Sequence, residues 1–293
     1  MSETRLYWLL PALLLLATTV QAQRLASPKP SPQRPTTNTK AKKSPTATPK
    51  VLRAVVVSVS DTVGGRFVVP QVQLPDAAVA FRINMDLADA TLGEDLTMVP
   101  YPLTALTALH QARMEYKAKG QSGFVGSGYR VLYNDHGLLS VEFTANYLGA
   151  YPSSSTRHAT FDLRTGRLLE VRDLLTDTLA LRQRWQQAIN RRVADYLRTL
   201  PNESPQLDAN MLVDVKRRLY WNDSTQAVQL EGDDPRFYDF ALTPAGLMLY
   251  YDFGFPHVIQ ALQPPPDYLF SYAMLTPWLK PKGPLDFRRQ PKK

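Results

Sequence analysis

The chain has 293 residues, with 34 Lys and Arg against 26 Asp and Glu for a formal charge of +8, and no cysteine. The missing cysteine excludes disulfides, zinc–thiolate sites and a thiol nucleophile. The positive charge excludes less than it suggests: residues 24–50 carry seven bases and no acid, residues 280–293 a net five, and 51–279 is left at −4, without the basic face of a nucleic-acid-binding domain.

Trp8–Ala17 is a ten-residue apolar run containing Pro11, behind a short polar start with Arg5, and Val20-Gln21-Ala22 is a small-x-small cleavage site. A spanning helix needs roughly 20 apolar residues. Residues 1–22 are therefore expected to be a secretory signal peptide and not a transmembrane anchor, with the mature chain starting near Gln23. No cysteine follows the run, so a lipoprotein anchor is not expected. Export without cysteine suits a bacterial envelope protein, periplasmic or secreted, whose core is large enough to fold without disulfides. Residues 23–50 are rich in Pro, Thr, Ser and Lys and cannot bury enough surface to offset chain entropy, which predicts a disordered linker.

The folded part opens at residue 51. VLRAVVVSVS reads as a strand, Asp61–Gly65 as a turn and Arg66–Val69 as its return. Leu103–Lys119 places Leu103, Leu106, Leu109 and Met114 on a polar background, which predicts a helix packed on a sheet. Gly120–Gly128 reads as a flexible connector; it follows a helix and opens a strand, the reverse of a dinucleotide-binding loop, and lacks the Lys-Ser/Thr of a P-loop. Tyr129–Tyr133 and Leu138–Leu148 form an antiparallel pair across Asn134-Asp135-His136-Gly137. Gly149 and Pro152 break the second strand, alternation resumes over Ala159, Phe161 and Leu163, and Thr165-Gly166 turns the chain towards a helix entered by Leu168–Leu175. Leu181, Trp185, Ile189, Val193 and Leu197 recur every four residues, so Asp177–Leu200 is the clearest helix, capped by Thr176 or Asp177 and ended by Pro201. A shorter helix is expected over Pro205–Leu219. Strands follow at Ala227–Leu230, Phe237–Leu242 and Leu247–Tyr251, then a loop over Asp252–Pro266 and a closing strand and helical turn over Tyr268–Leu279.

Three consecutive motifs give the chain a family likeness: Gly149-Ala150-Tyr151-Pro152, Asp162-Leu163-Arg164-Thr165-Gly166 and Val171-Arg172-Asp173-Leu174-Leu175. Together they resemble the domains of unknown function in the outer part of RsiV-like anti-sigma factors and PdaC-like peptidoglycan deacetylases. Looser matches are Pro70-Gln71-Val72 with Ile83-Asn84, the latter at the start of a helix in that family, Phe240–Leu247, and the closing element from Tyr268. The resemblance covers about residues 66–279. It rests on turn and core residues, and so implies a fold and a compartment more than a reaction.

The fold class expected is α+β, an antiparallel sheet packed against two or three helices. It is either one body or two intimately packed subdomains, 51–170 and 171–279, with 280–293 a basic flexible tail. An anti-sigma factor needs a cytosolic domain and a spanning helix ahead of this region, and a deacetylase a further metal-binding domain; neither is expected in this sequence.

Chemistry-bearing motifs are few. His110, His136, His158 and His257 are not at metal-ligand spacing, no HExxH occurs, and no Gly-x-Ser-x-Gly surrounds a serine. Neither catalytic residue, metal nor cofactor is assigned. Two segments are candidates for ligand binding. Ser153, Ser154, Ser155, Arg157 and His158 form a hydroxyl-rich tip whose groups can hydrogen-bond sugars or a protein groove. Phe253, Phe255, Pro256 and His257 sit in a loop where aromatic rings beside proline could stack on sugars or fill a partner's pocket, or equally belong to the core. In the anti-sigma relatives the equivalent loop carries tyrosines and helps insert into the cleft of lysozyme; this chain lacks those tyrosines. The expected function is a cell-envelope binding module for peptidoglycan or a protein acting on it, such as lysozyme. The alternatives are a stand-alone envelope hydrolase with an unrecognised site and a structural envelope protein without a ligand.

Overall fold

A computed structural model describes residues 51–60, 66–92, 105–120, 123–203, 208–229 and 239–289. The expected signal peptide, linker and first turn lie outside them. The chain opens with an antiparallel hairpin, β1 (Val55–Ser60) with β2 (Val68–Gln73), in register from Val55↔Gln73 to Ser60↔Val68. α1 (Ala77–Leu92) follows, and Asp76 caps it by accepting from the N–H groups of Ala78 and Val79. Val79, Ile83 and Leu87 form its buried stripe. Asn84 locks it to the hairpin, accepting from Val72 N–H at 2.6 Å and donating to Val72 C=O at 3.0 Å.

α2 (Ala105–Ala118) leads to a four-stranded sheet in the order β3 (Gly123–Asp135), β4 (Leu138–Leu148), β5 (Pro152–Asp162), β6 (Arg167–Leu168). The β3–β4 turn puts His136 and Gly137 both at positive φ, 54° and 80°, the two-residue turn whose twist matches the flanking strands. Two expectations change here. Residues 123–128 of the expected connector are strand, paired with β4 as far as Gly123↔Leu148. Ser127 holds this stretch to β2 through its backbone bond to Arg66 C=O and its hydroxyl on Val68. Gly126 is required: a Cβ there would come 2.8 Å from the Arg66 carbonyl oxygen. The expected tip at Ser153–His158 is also strand, paired residue for residue with β4 from Leu148↔Pro152 to Leu138↔Asp162.

The sheet separates two cores. Odd-numbered residues of β4 and β5, Leu139, Val141, Phe143, Ala159 and Phe161, pack with α1. Even-numbered Leu138 joins the second core, and Ser140 and Thr160, buried beside it, satisfy each other at 2.6 Å while Ser140 Oγ accepts from Leu242 N–H. α3 (Val171–Leu174) turns the chain into α4 (Thr178–Glu203), whose Leu181, Trp185, Ile189 and Val193 are all at or below 1% exposure. α4 runs through Pro201, past its expected end; a proline in a last turn forfeits one backbone bond. α5 (Ala209–Arg218), capped by Asp208, and the small hairpin β7 (Trp221–Asn222) with β8 (Ala227–Val228) follow. An antiparallel sheet, β9 (Phe240–Leu242), β10 (Gly246–Tyr250) and β11 (Asp267–Ser271), then leads to α6 (Tyr272–Leu275). The architecture is α+β. The described residues from 51 to 289 hold together as one unit, although the cores sort roughly at Leu163 and Leu169.

Residues 280–289 correct the expectation of a flexible tail. Leu285 is buried, Phe287 stacks on His136 at 4.0 Å, and the Arg288 guanidinium lies 4.2 Å over the Tyr272 ring. Apolar anchors between the bases give this stretch burial that its charge alone conceals.

Asp173 makes α3 sensitive to acid. Its carboxylate accepts from Glu170 N–H at 2.8 Å and pairs with Arg167 at 2.9 Å. Burial works to raise its pKa, but these partners, with Lys280, outweigh it and hold the carboxyl below its ordinary 3.8. A carboxyl lowered in the native state stabilises fully above its unfolded pKa and loses that contribution as pH falls through the native one. Asp173→Ala is expected to cost about 1 kcal/mol near neutrality. The gap between the urea midpoints of parent and variant should shrink as pH falls through and below the ordinary carboxylate range; a gap of constant size would sink this assignment.

Candidate functional site

The far end of the β3–β4–β5 sheet lies by a third, smaller core of Phe67, Val69, Ala88, Ala105 and Leu109, and carries exposed polar residues. There an open groove of about 700 Å³ is lined by Arg66, Tyr116, Asn146, Tyr147, Ser153, Ser154 and Gln260, among others. Its aromatic side is braced from beneath: Tyr147 packs on Phe124 at 5.7 Å, and Phe124 on buried Phe67 at 5.3 Å. Arg66 donates to the Tyr116 hydroxyl at 2.8 Å and lies against its ring. Asn146 and Ser154 are cross-strand partners, as are Tyr147 and Ser153, so the β4–β5 register sets the spacing of the polar groups. Gln260 arrives on the 3-10 segment His257–Leu262.

The sequence-selected residues therefore divide. Ser153 and Ser154 line the groove. Ser155 and Arg157 are exposed on β5 outside its lining. Pro256 is exposed, and His257 opens the segment that delivers Gln260. Phe253 and Phe255, expected as stacking groups in a loop, are each only 6% exposed and belong to the second core, with Phe253 edge-on to Tyr251 at 4.6 Å. Core packing claims both rings, so they offer no face to a ligand. Arg66, Tyr116, Asn146, Tyr147 and Gln260 were not foreseen; only the alternation of Tyr147 along β4 signalled any of them.

His158 is also not at a binding tip. Its side chain is 2% exposed. Nδ1 is 2.7 Å from Asp239 Oδ1, which also accepts the His158 backbone N–H, and Nε2 is 3.4 Å from Glu142 Oε2. Glu142 in turn pairs with Arg130 at 2.9 Å. The imidazole stacks on Tyr250 at 3.7 Å and 8°. Burial, and then Glu142, Asp239 and Asp267, push the Tyr250 phenol well above its ordinary 10, so it stays neutral. With a carboxylate at each ring nitrogen and a phenol over its face, this imidazole clamps β9 to the sheet. It is poorly placed to act as a base on a bound molecule. Among the described residues no group of three or more His, Asp or Glu is disposed to hold a metal ion. No described helix is long and apolar enough to cross a membrane.

No family model and no curated protein matches the chain. Two crystal structures are similar to it. One is a member of the DUF3298 family from Bacteroides fragilis, at 17% identity and TM-score 0.42, covering 83% of this chain and 98% of that one. The other is a DUF3298 family protein from Pseudomonas aeruginosa, at 18% identity and TM-score 0.44, covering 83% and 97%.

Proposed function

We propose that this chain is a non-catalytic recognition module of the bacterial cell envelope that takes a glycan, peptidoglycan foremost, in the groove at the far end of the β3–β4–β5 sheet. The observation that carries this reading is the joint lining of one groove by Tyr147 and Tyr116, by the polar side chains of Asn146, Ser153, Ser154 and Gln260, and by Arg66. A sugar ring has an apolar C–H face and a rim of hydroxyls, and needs an aromatic surface beside donors and acceptors of this kind. An open groove also suits a polymer crossing the surface better than a small molecule that must be enclosed. The envelope location is supported by the apolar run and cleavage site at residues 8–22, and by the resemblance to RsiV-like and PdaC-like proteins.

The test is retention of the purified chain on insoluble peptidoglycan, with soluble lysozyme tested in parallel, at low salt and at ~0.3 M, where tail charges are screened. Retention should persist in salt and fall about tenfold in the Asn146→Ala/Tyr147→Ala variant, the worth of one or two lost contacts. Retention abolished by salt, or unaffected by the double substitution, would overturn the groove as the site. Capture by lysozyme alone would redirect the reading to a protein ligand.

A further inference from the structure

A second groove, of about 570 Å³, lies along α4 and is lined by Arg184, Gln187, Arg191, Arg192, Leu269 and Met274, among others. It is distinctive because residues 51–279 are acidic overall, while α4 has five arginines against Asp195 and Glu203. Arg184, Ala188, Arg191 and Asp195 are spaced four, three and four apart, so they share one helix face. Two of the guanidinium groups, those of Arg184 and Arg192, are held in place without being neutralised. Arg192 donates to the carbonyls of Pro265, at 2.8 Å, and Asp267, and lies 4.0 Å over the Tyr268 ring. Arg184 lies 5.0 Å over Trp278. Among the described residues none of the three makes an ion pair, and the carboxylate of Asp195 is taken by Arg198 at 2.6 Å.

We infer that this groove binds phosphate groups presented more than one at a time. The planar fork of guanidinium matches the oxygens of phosphate, and aromatic or carbonyl contacts fix its orientation in advance. Arg184 and Arg191 are seven residues apart, ~10 Å along the helix axis. That spacing is wide for one phosphate ion and in step with a chain or surface of them. Half-exposed Leu269 and Met274 give the groove an apolar rim, which suits phosphate esters carrying hydrocarbon as well as free polyphosphate. This inference is independent of the glycan groove.

The full chain is titrated with orthophosphate, with linear polyphosphate, and with vesicles of phosphatidylcholine with and without phosphatidylglycerol. The parent is compared with Arg184→Gln/Arg191→Gln and with Arg191→Gln alone, which leaves the contact with Trp278 intact. All keep the basic segments 24–50 and 280–293. Polyphosphate or anionic vesicles should bind at least about tenfold tighter than orthophosphate, and the double variant should lose about tenfold of that affinity. Preference for polyphosphate identifies a free polyanion; preference for anionic vesicles identifies lipid head groups. Equal affinity of parent and variants would assign the binding to the basic segments, and orthophosphate bound as tightly as polyphosphate would remove the multivalent site. Either result overturns the inference, as does no binding by the parent.

Discussion

Replacing Trp185 with alanine is expected to lower the free energy of unfolding by about 3–5 kcal/mol, the range for deleting a large buried aromatic. Trp185 is 1% exposed at the middle of the α4 stripe. It meets Tyr251 at 6.0 Å and Tyr268 at 6.5 Å, both edge-on, and Tyr251 passes the contact to Phe253. One ring therefore joins α4 to β11 and to the segment that ends in the groove lined by Gln260. The rings around it belong to β11 and to the segment after β10, both packed into the second core, so collapse around the cavity should be incomplete and the cost should sit in the upper part of the range. Urea denaturation followed by circular dichroism reads this as a lower midpoint at nearly constant slope. Leu179→Ala on the same helix, at 61% exposure, is the control and should stay within about 0.5 kcal/mol. If Trp185→Ala cost no more than the control, α4 would not be the element on which the second core is built.

The four-residue recurrence from Leu181 to Val193 is a local signal, so α4 was legible in the sequence, as was the turn at His136-Gly137. Ser153–His158 was not. SSSTRH has no apolar alternation and sits between Pro152 and a buried strand, so it reads as a loop. It is extended because β4 offers a paired partner of equal length, and strand preference yields to such context. The same limit applies to Phe253 and Phe255: aromatics beside glycine and proline have no local feature saying which side faces the core, and here α4 decides. Arg66 and Tyr116 meet across a separation of fifty positions, and Gln260 joins them through a 3-10 segment that nothing local marks as adjacent. What sequence supplied of the groove was its hydroxyl edge, because Ser153 and Ser154 stand out by composition alone.

His158 shows how a residue selected for one role carries another. His158→Phe should cost about 2–3 kcal/mol, even though phenylalanine can keep the stack on Tyr250. The substitution removes the ring nitrogens that face Asp239 and Glu142. Glu142 is 19% exposed and keeps Arg130; Asp239 is 37% exposed and can recover some water. For that reason the cost falls below the 3–5 kcal/mol typical of breaking a fully buried pair. Thermodynamic cycles separate the contributions. Asp239→Asn in the parent should destabilise more than the same change in His158→Phe, where the carboxylate keeps only the backbone N–H of residue 158. A His158→Phe variant within about 0.5 kcal/mol of the parent would mean that stacking on Tyr250 alone fastens β10 to β5. The two carboxylates would then be bystanders, and the imidazole would be available for chemistry that the clamp otherwise forbids.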